Sequence, residues 1–139
     1  MKVKDIMHKG AQFVEQNTPV KEIARQMRDF DIGAMPVTAK GHIVGMITDR
    51  DLACRALADS ADLSQLTAKD VMTRNAICCS PEDDVEKALQ TMEAKQIRRL
   101  AVTNAEHAVL GMLSLGDISS RLGKQTSGDV LRAVSAHHG

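Results

Sequence analysis

The chain of 139 residues is 43% hydrophobic and 26% charged, the profile of a soluble globular protein made of one domain or of two small halves that share a core. Its 18 basic and 18 acidic residues balance, which leaves no basic excess for holding nucleic acid through phosphates, and its apolar runs fall short of the roughly 20 residues a membrane span needs. Phe13 and Phe30 are the only aromatic residues, which argues against base-stacking surfaces, methylammonium cages and sugar platforms.

The opening Met1 to Met7 has neither the apolar core of a secretory signal nor the Arg/Ser richness of a transit peptide, so a cytoplasmic location is expected. An apolar extended stretch at Phe13-Val14 precedes Thr18-Pro19, which reads as a hydroxyl N-cap with proline at the first helical position. Val20, Ile23, Ala24, Met27 and Phe30 then recur at the spacing of one buried helix face. Short strands over Met35 to Thr38 and Ile43 to Ile47 flank a turn at Ala39-Lys40-Gly41, and a second helix is predicted from about Asp49 to Ala58.

From Lys69 the pattern restarts. Lys69-Asp70-Val71-Met72 repeats Lys4-Asp5-Ile6-Met7 at a shift of 65 residues, and the same shift carries Val20, Met27 and Ile32 onto Val85, Met92 and Ile97. One inserted residue near Asn104 to Ala108 moves the shift to 66 and aligns Gly45-Met46 with Gly111-Met112, Asp51 with Asp117 and Arg55 with Arg121. The second unit therefore has an extended stretch at Ala76 to Cys79, a helix opening at Ser80-Pro81 and a helix face of Val85, Ala88, Leu89 and Met92. Strands at Leu100 to Thr103 and Val109 to Leu113 and a helix from about Leu115 to Leu122 complete it. Each unit reads strand, helix, strand, strand, helix, an α/β repeat. The repeats span 1–64 and 65–123, and 124–139 is a C-terminal helical tail with Val130, Leu131 and Val134 on one face. A lone unit of this size buries too little surface to be comfortably stable, so the two are expected to pack about a pseudo-twofold axis with clefts in related pairs.

The chemistry concentrates at Gly45 to Asp51 and Gly111 to Asp117, where Thr48 or Ser114 ends an apolar strand and an aspartate follows three residues later. A hydroxyl N-cap with an acid at the third helical position accounts for each in purely structural terms. Two occurrences at equivalent places admit a second reading. A helix N-terminus with a hydroxyl suits phosphate, a neighbouring carboxylate suits the paired hydroxyls of ribose, and Gly45 and Gly111 allow close approach of a backbone or a ligand. Phosphate and ribose together describe a nucleotide.

These residues, with the two Lys-Asp-Ile/Val-Met openings, Ile32 to Val37 and Ile97 to Val102, make the chain resemble a tandem pair of CBS domains, or Bateman module, over nearly all of residues 1 to 122. It is similar in particular to the small stand-alone bacterial proteins that contain little else. The resemblance implies two clefts that take AMP, ADP, ATP, NAD or a related adenosyl ligand, with the hydroxyl at phosphate, the aspartate at ribose and the base between backbone segments of the opposite repeat. Carried over, one cleft uses Thr48, Arg50 and Asp51 with Ala76, Ile77, Cys78, Gln96, Ile97, Arg98 and Arg99. The other uses Ser114 and Asp117 with Gln12, Phe13, Ile32, Gly33 and Ala34. Arg98 and Arg99 stand where the first repeat has Gly33 and Ala34, so guanidinium donors for phosphate come from the second repeat and the Thr48/Asp51 cleft is the better site. Arg50, between two aspartates, has a surface ion pair as its plainer explanation.

The five histidines are scattered without zinc-site spacing, and no nucleophile, base or phosphate-loop motif is present, so neither a metal site nor an enzyme is expected. Cys54, Cys78 and Cys79 read as reduced, small buried residues, the last two facing opposite sides of a strand. Two functions remain. One is a homodimeric regulatory sensor that binds an adenine nucleotide and signals energy or redox state to a partner protein through ligand-dependent dimer geometry. The other is a structural interaction module whose clefts are vestigial.

Overall fold

In the computed structural model, which describes residues 1–59 and 62–121, a short 3-10 turn at Val3–Asp5 leads into β1 (His8–Lys9), β2 (Val14–Glu15), helix α1 (Val20–Phe30), β3 (Ala34–Ala39) and β4 (His42–Thr48). A brief α2 (Asp49–Asp51) runs on as a π-helix over Leu52–Leu57. The second passage supplies α3 (Ala68–Val71), β5 (Thr73–Arg74), β6 (Cys78–Cys79), α4 (Val85–Lys95), β7 (Arg99–Thr103), β8 (Val109–Ser114) and α5 (Leu115–Ser119). The β-α-β-β-α order expected of each repeat is present, as β2-α1-β3-β4-α2 and β6-α4-β7-β8-α5. The expected tail, with Leu122, lies outside the described residues.

The amphipathic faces behave as their spacing requires. Ile23 and Met27 of α1 pack with Val14, Met35, Val37 and Ile47 in one core, and Ala88, Leu89 and Met92 of α4 pack with Leu100, Val102, Leu113 and Ile118 in another. Ala24 and Phe30, both assigned to the predicted α1 face, are instead exposed, Phe30 at 53%. Both long helices stop the same way, on a left-handed residue, Asp31 (φ 53°) or Gln96 (φ 55°), after which Ile32 N donates to Met27 O and Ile97 N to Met92 O, each at 3.0 Å.

Their starts differ from the sequence reading. Pro19 and Asp84 are the N-caps, with extended backbone and no side-chain cap bond, so neither Thr18 nor Ser80 caps a long helix. The reason is a backbone partner. Val20 N donates to Leu66 O at 3.1 Å, Ala68 N to Thr18 O at 2.9 Å and Lys69 N to Gln16 O at 3.0 Å, which keeps the chain extended up to Pro19. The same three bonds recur 65 residues away, from Val85 N to Met1 O, Val3 N to Asp83 O and Lys4 N to Pro81 O.

Those bonds reveal an exchange. The described residues form two compact units, one drawn from Met1–Ala11, Ile77–Glu106 and 110–121, the other from Gln12–Ala76 and His107–Val109. Each repeat's opening segment thus belongs with the body of the other repeat. In one unit the sheet order is β2-β3-β4-β5, with β2 parallel to β3 and β5 antiparallel to β4; in the other it is β1-β8-β7-β6, with β6 parallel to β7 and β1 antiparallel to β8. Val3 and Ile6 complete the core around α4, and Ala68, Val71 and Met72 that around α1.

Candidate functional site

Strand β4 ends by delivering Thr48 beside Ala34 of β3, and the chain turns into helix with Thr48 as N-cap. Asp51 N donates to Thr48 Oγ1 at 3.1 Å and Thr48 N donates to Asp51 Oδ2 at 3.0 Å, a reciprocal capping box. Asp51 is only 9% exposed, and Asp49 and Arg50 beside it are exposed. Asp49 N donates to Gly33 O at 3.0 Å, which brings Ile32-Gly33-Ala34 against this corner within one unit. A Cβ on Gly33 would sit 3.0 Å from Asp49 Oδ2.

The second repeat builds the matching corner in the other unit. Asp117 N donates to Ser114 Oγ at 3.0 Å and Ser114 N to Asp117 Oδ2 at 2.9 Å, while Leu115 N donates to Arg98 O at 2.8 Å. Gln96, Ile97, Arg98 and Arg99 therefore gather at the Ser114/Asp117 corner of their own unit, with Arg98 and Arg99 exposed. Of the residues expected to share a ligand with Thr48, Arg50 and Asp51, Ala76 lies in the same unit and Ile77, Cys78 and Gln96 to Arg99 in the other. Of those expected with Ser114 and Asp117, all of Gln12, Phe13, Ile32, Gly33 and Ala34 lie in the other unit.

The capping account of both corners is realised in full. It also recurs where no site was expected: Thr67 N donates to Asp70 Oδ2 at 2.9 Å and Ser80 N to Asp83 Oδ2 at 3.0 Å. The backbone bond from Thr67 holds the Asp70 carboxyl below its ordinary range. Hydroxyl-x-x-Asp is thus a local turn device, and what sets Thr48 and Ser114 apart is their place at the end of a sheet strand. Capping does not exhaust them. A hydroxyl that accepts one bond still has its proton to donate, and a carboxylate bonded through Oδ2 still offers Oδ1.

Gly45 and Gly111 have a structural explanation. A Cβ on Gly45 would lie 2.6 Å from Thr73 O, and one on Gly111 would collide with His8 O, so the glycines admit β5 and β1. Of the two alternatives, backbone or ligand, the structure shows backbone. Cys54 is exposed, contrary to expectation, because its turn of π-helix faces outward; Cys79 is buried and Cys78 half-buried on opposite faces of β6. Burial pushes the Cys79 thiol up to about 12 and raises Cys78, the latter opposed by a hydrogen bond with Thr103, so both stay protonated at neutral pH. Among the described residues no group of three or more His, Cys, Asp or Glu is arranged to hold a metal ion, and no helix is long and apolar enough to cross a membrane.

Known proteins show the same arrangement. The family model described as CBS domain matches residues 3–56 and 68–124. The CBS domain-containing protein YhcV of Bacillus subtilis is 34% identical over 134 residues, covering 96% of this chain and 94% of its own. Among solved structures, the CBS domain pair of protein MJ0100, in complex with 5′-methylthioadenosine and S-adenosyl-L-methionine, superposes with a TM-score of 0.79 at 28% identity, covering 90% of this chain and 98% of that one. Hypoxic Response Protein I, solved with two coordinated zinc ions, superposes with a TM-score of 0.79 at 30% identity, covering 88% of this chain and all of its own.

Proposed function

The chain belongs to the CBS-domain family as a tandem pair, a regulatory and not a catalytic module, and on that premise we propose that it is a cytoplasmic sensor of an adenosine-containing ligand, read at the Thr48/Asp51 corner. The carrying observation is that a strand-end hydroxyl and an aspartate three residues on recur in both repeats, and that in the first the aspartate, Asp51, is largely buried with its Oδ1 beyond the capping bond. Support comes from the MJ0100 pair, whose two ligands, 5′-methylthioadenosine and S-adenosyl-L-methionine, share adenine and ribose and carry no phosphate. The common denominator of those ligands and of AMP, ADP, ATP and NAD is the adenosyl group. Asp51 is then the main reader, accepting from ribose, and Thr48 adds affinity where a phosphate follows.

With 1% aromatic residues, the adenine rests on aliphatic side chains and backbone and not on a stacked ring. The ligand acts by favouring one arrangement of a homodimer over another, which a regulated partner protein reads. Isothermal titration with AMP, ADP, ATP, NAD and 5′-methylthioadenosine tests this. At least one should bind, and Asp51→Ala should weaken it about tenfold, the equivalent of one charge-assisted hydrogen bond. No binding by any of the five, or unchanged affinity in the variant, overturns the assignment.

One observation favours the interaction-module alternative: Thr67 N donates to Asp70 Oδ2 just as Thr48 N and Ser114 N do to their aspartates, at a turn where no ligand is expected. Under that alternative, Thr48→Ala lowers the melting temperature equally with and without AMP. Extrinsic-dye melting curves separate the two, the chain having no Trp or Tyr.

A further inference from the structure

We infer that Arg55 is a positioning residue for the ribose-reading carboxylate, which it orients and ties to the backbone at Met72; the inference rests on the proposed role of Asp51. Arg55 lies one helical turn after Asp51, with Nε 3.8 Å from Asp51 Oδ1, and its Nη1 donates to Met72 O at 3.2 Å. The opposite oxygen, Oδ2, accepts from Thr48 N at 3.0 Å. The carboxylate is therefore held on one side by a hydrogen bond and on the other by a guanidinium too far away to form one. Charge attraction at that separation steers Oδ1 without consuming its lone pairs, which leaves them for a ligand hydroxyl.

Stability does not account for this arrangement. The Arg55 side chain is 52% exposed, and an ion pair in that setting contributes little to folding. Orientation accounts for it better, since a carboxylate that must meet two neighbouring hydroxyls binds more tightly when its rotamer is set in advance. The π-helix over Leu52–Leu57 carries Arg55, and such turns recur at functional sites because they re-aim side chains. The anchor is also well placed, because Met72 belongs to the exchanged opening segment and directly precedes β5.

The test uses AMP and 5′-methylthioadenosine, each beside its 2′,3′-dideoxy counterpart, on the full chain and on Arg55→Ala, Arg55→Lys and Asp51→Asn. Arg55→Ala should weaken the hydroxylated ligand about fivefold, the scale of a partly exposed ion pair, and leave the dideoxy compound unchanged. Arg55→Lys should recover part of the loss. An equal loss on both compounds, or none, overturns the inference, because a merely structural residue does not distinguish ribose hydroxyls. If Asp51→Asn abolishes the hydroxyl preference while Arg55→Ala keeps it, only the role of Arg55 falls. If neither ligand binds the full chain, the reading of Asp51 falls with it.

Discussion

The two strand-end corners share a capping box and differ in the residues between its ends. In the first repeat these are Asp49 and Arg50, both exposed; in the second they are Leu115, 7% exposed and part of the α4 core, and Gly116. Asp51 is followed by π-helix and faced by Arg55, whereas α5 ends at Ser119 and Asp117 is only half-buried. The same turn has thus been put to two uses, one leaving its charged residues in solvent and the other recruiting its first helical residue into the core. A duplicated device keeps its hydrogen bonds when its neighbours change, so those neighbours indicate which copy is available to a ligand.

Exchanging the neighbours is the most drastic way to break this comparison. Leu115→Asp should cost about 3 kcal/mol or more, since it buries a charge in an apolar core, whereas Asp49→Leu should stay within about 0.5 kcal/mol; urea unfolding of both variants reads the contrast. Equal costs would mean that the corners are not differently employed. Gly45→Ala and Gly111→Ala should each lose about 2 to 3 kcal/mol, because the added methyl meets a backbone carbonyl that cannot swing aside, with Gly111→Ala at least as severe. Here the two repeats should behave alike, which thermal melts will show.

Removing the hydroxyls sharpens the contrast at smaller scale. Thr48→Ala and Ser114→Ala should each cost about 1 kcal/mol as lost caps, but only Thr48→Ala should weaken nucleotide binding in titration calorimetry. The smallest effect concerns Glu82. Hydrogen bonds from Lys2 (2.7 Å) and Lys4 (2.9 Å) hold the Glu82 carboxyl down at about 2, below its ordinary 4.5. Because the folded value is depressed, the pair's contribution is fully present above pH 4.5 and is lost as pH falls through 2. Glu82→Gln should therefore melt slightly below the parent chain at pH 7, with the gap closing between those limits and shrinking in high salt.

What could be read from sequence was whatever is encoded locally. The faces of α1 and α4, the strand pairs and the hydroxyl-x-x-Asp corners each lie within a few residues of their own signal, and they appear where the periodicity places them except at Ala24 and Phe30, which are exposed. The exchange was not legible, because β1 and β5 are two exposed residues each, with no alternation, and their partners lie about 100 and about 30 residues away, respectively. The helix starts were misread for the same reason, a distant backbone strand doing what a hydroxyl was expected to do. Arg55 was visible only as a repeated arginine; its meaning required the Met72 carbonyl, which no spacing rule connects to it.

The traded opening segments also make the two repeats depend on each other. A solitary repeat of this kind would present a sheet short of its last strand and an opening segment with no core of its own, and two identical copies satisfy both needs by lending each other that segment. In the present chain the loan is internal, and the backbone bonds repeated at a spacing of 65 residues are its two halves. Neither body completes its sheet without a segment of the other repeat, so unfolding of one body takes a strand from the other, while the corners at Asp49 and Leu115 lie outside the loaned segments.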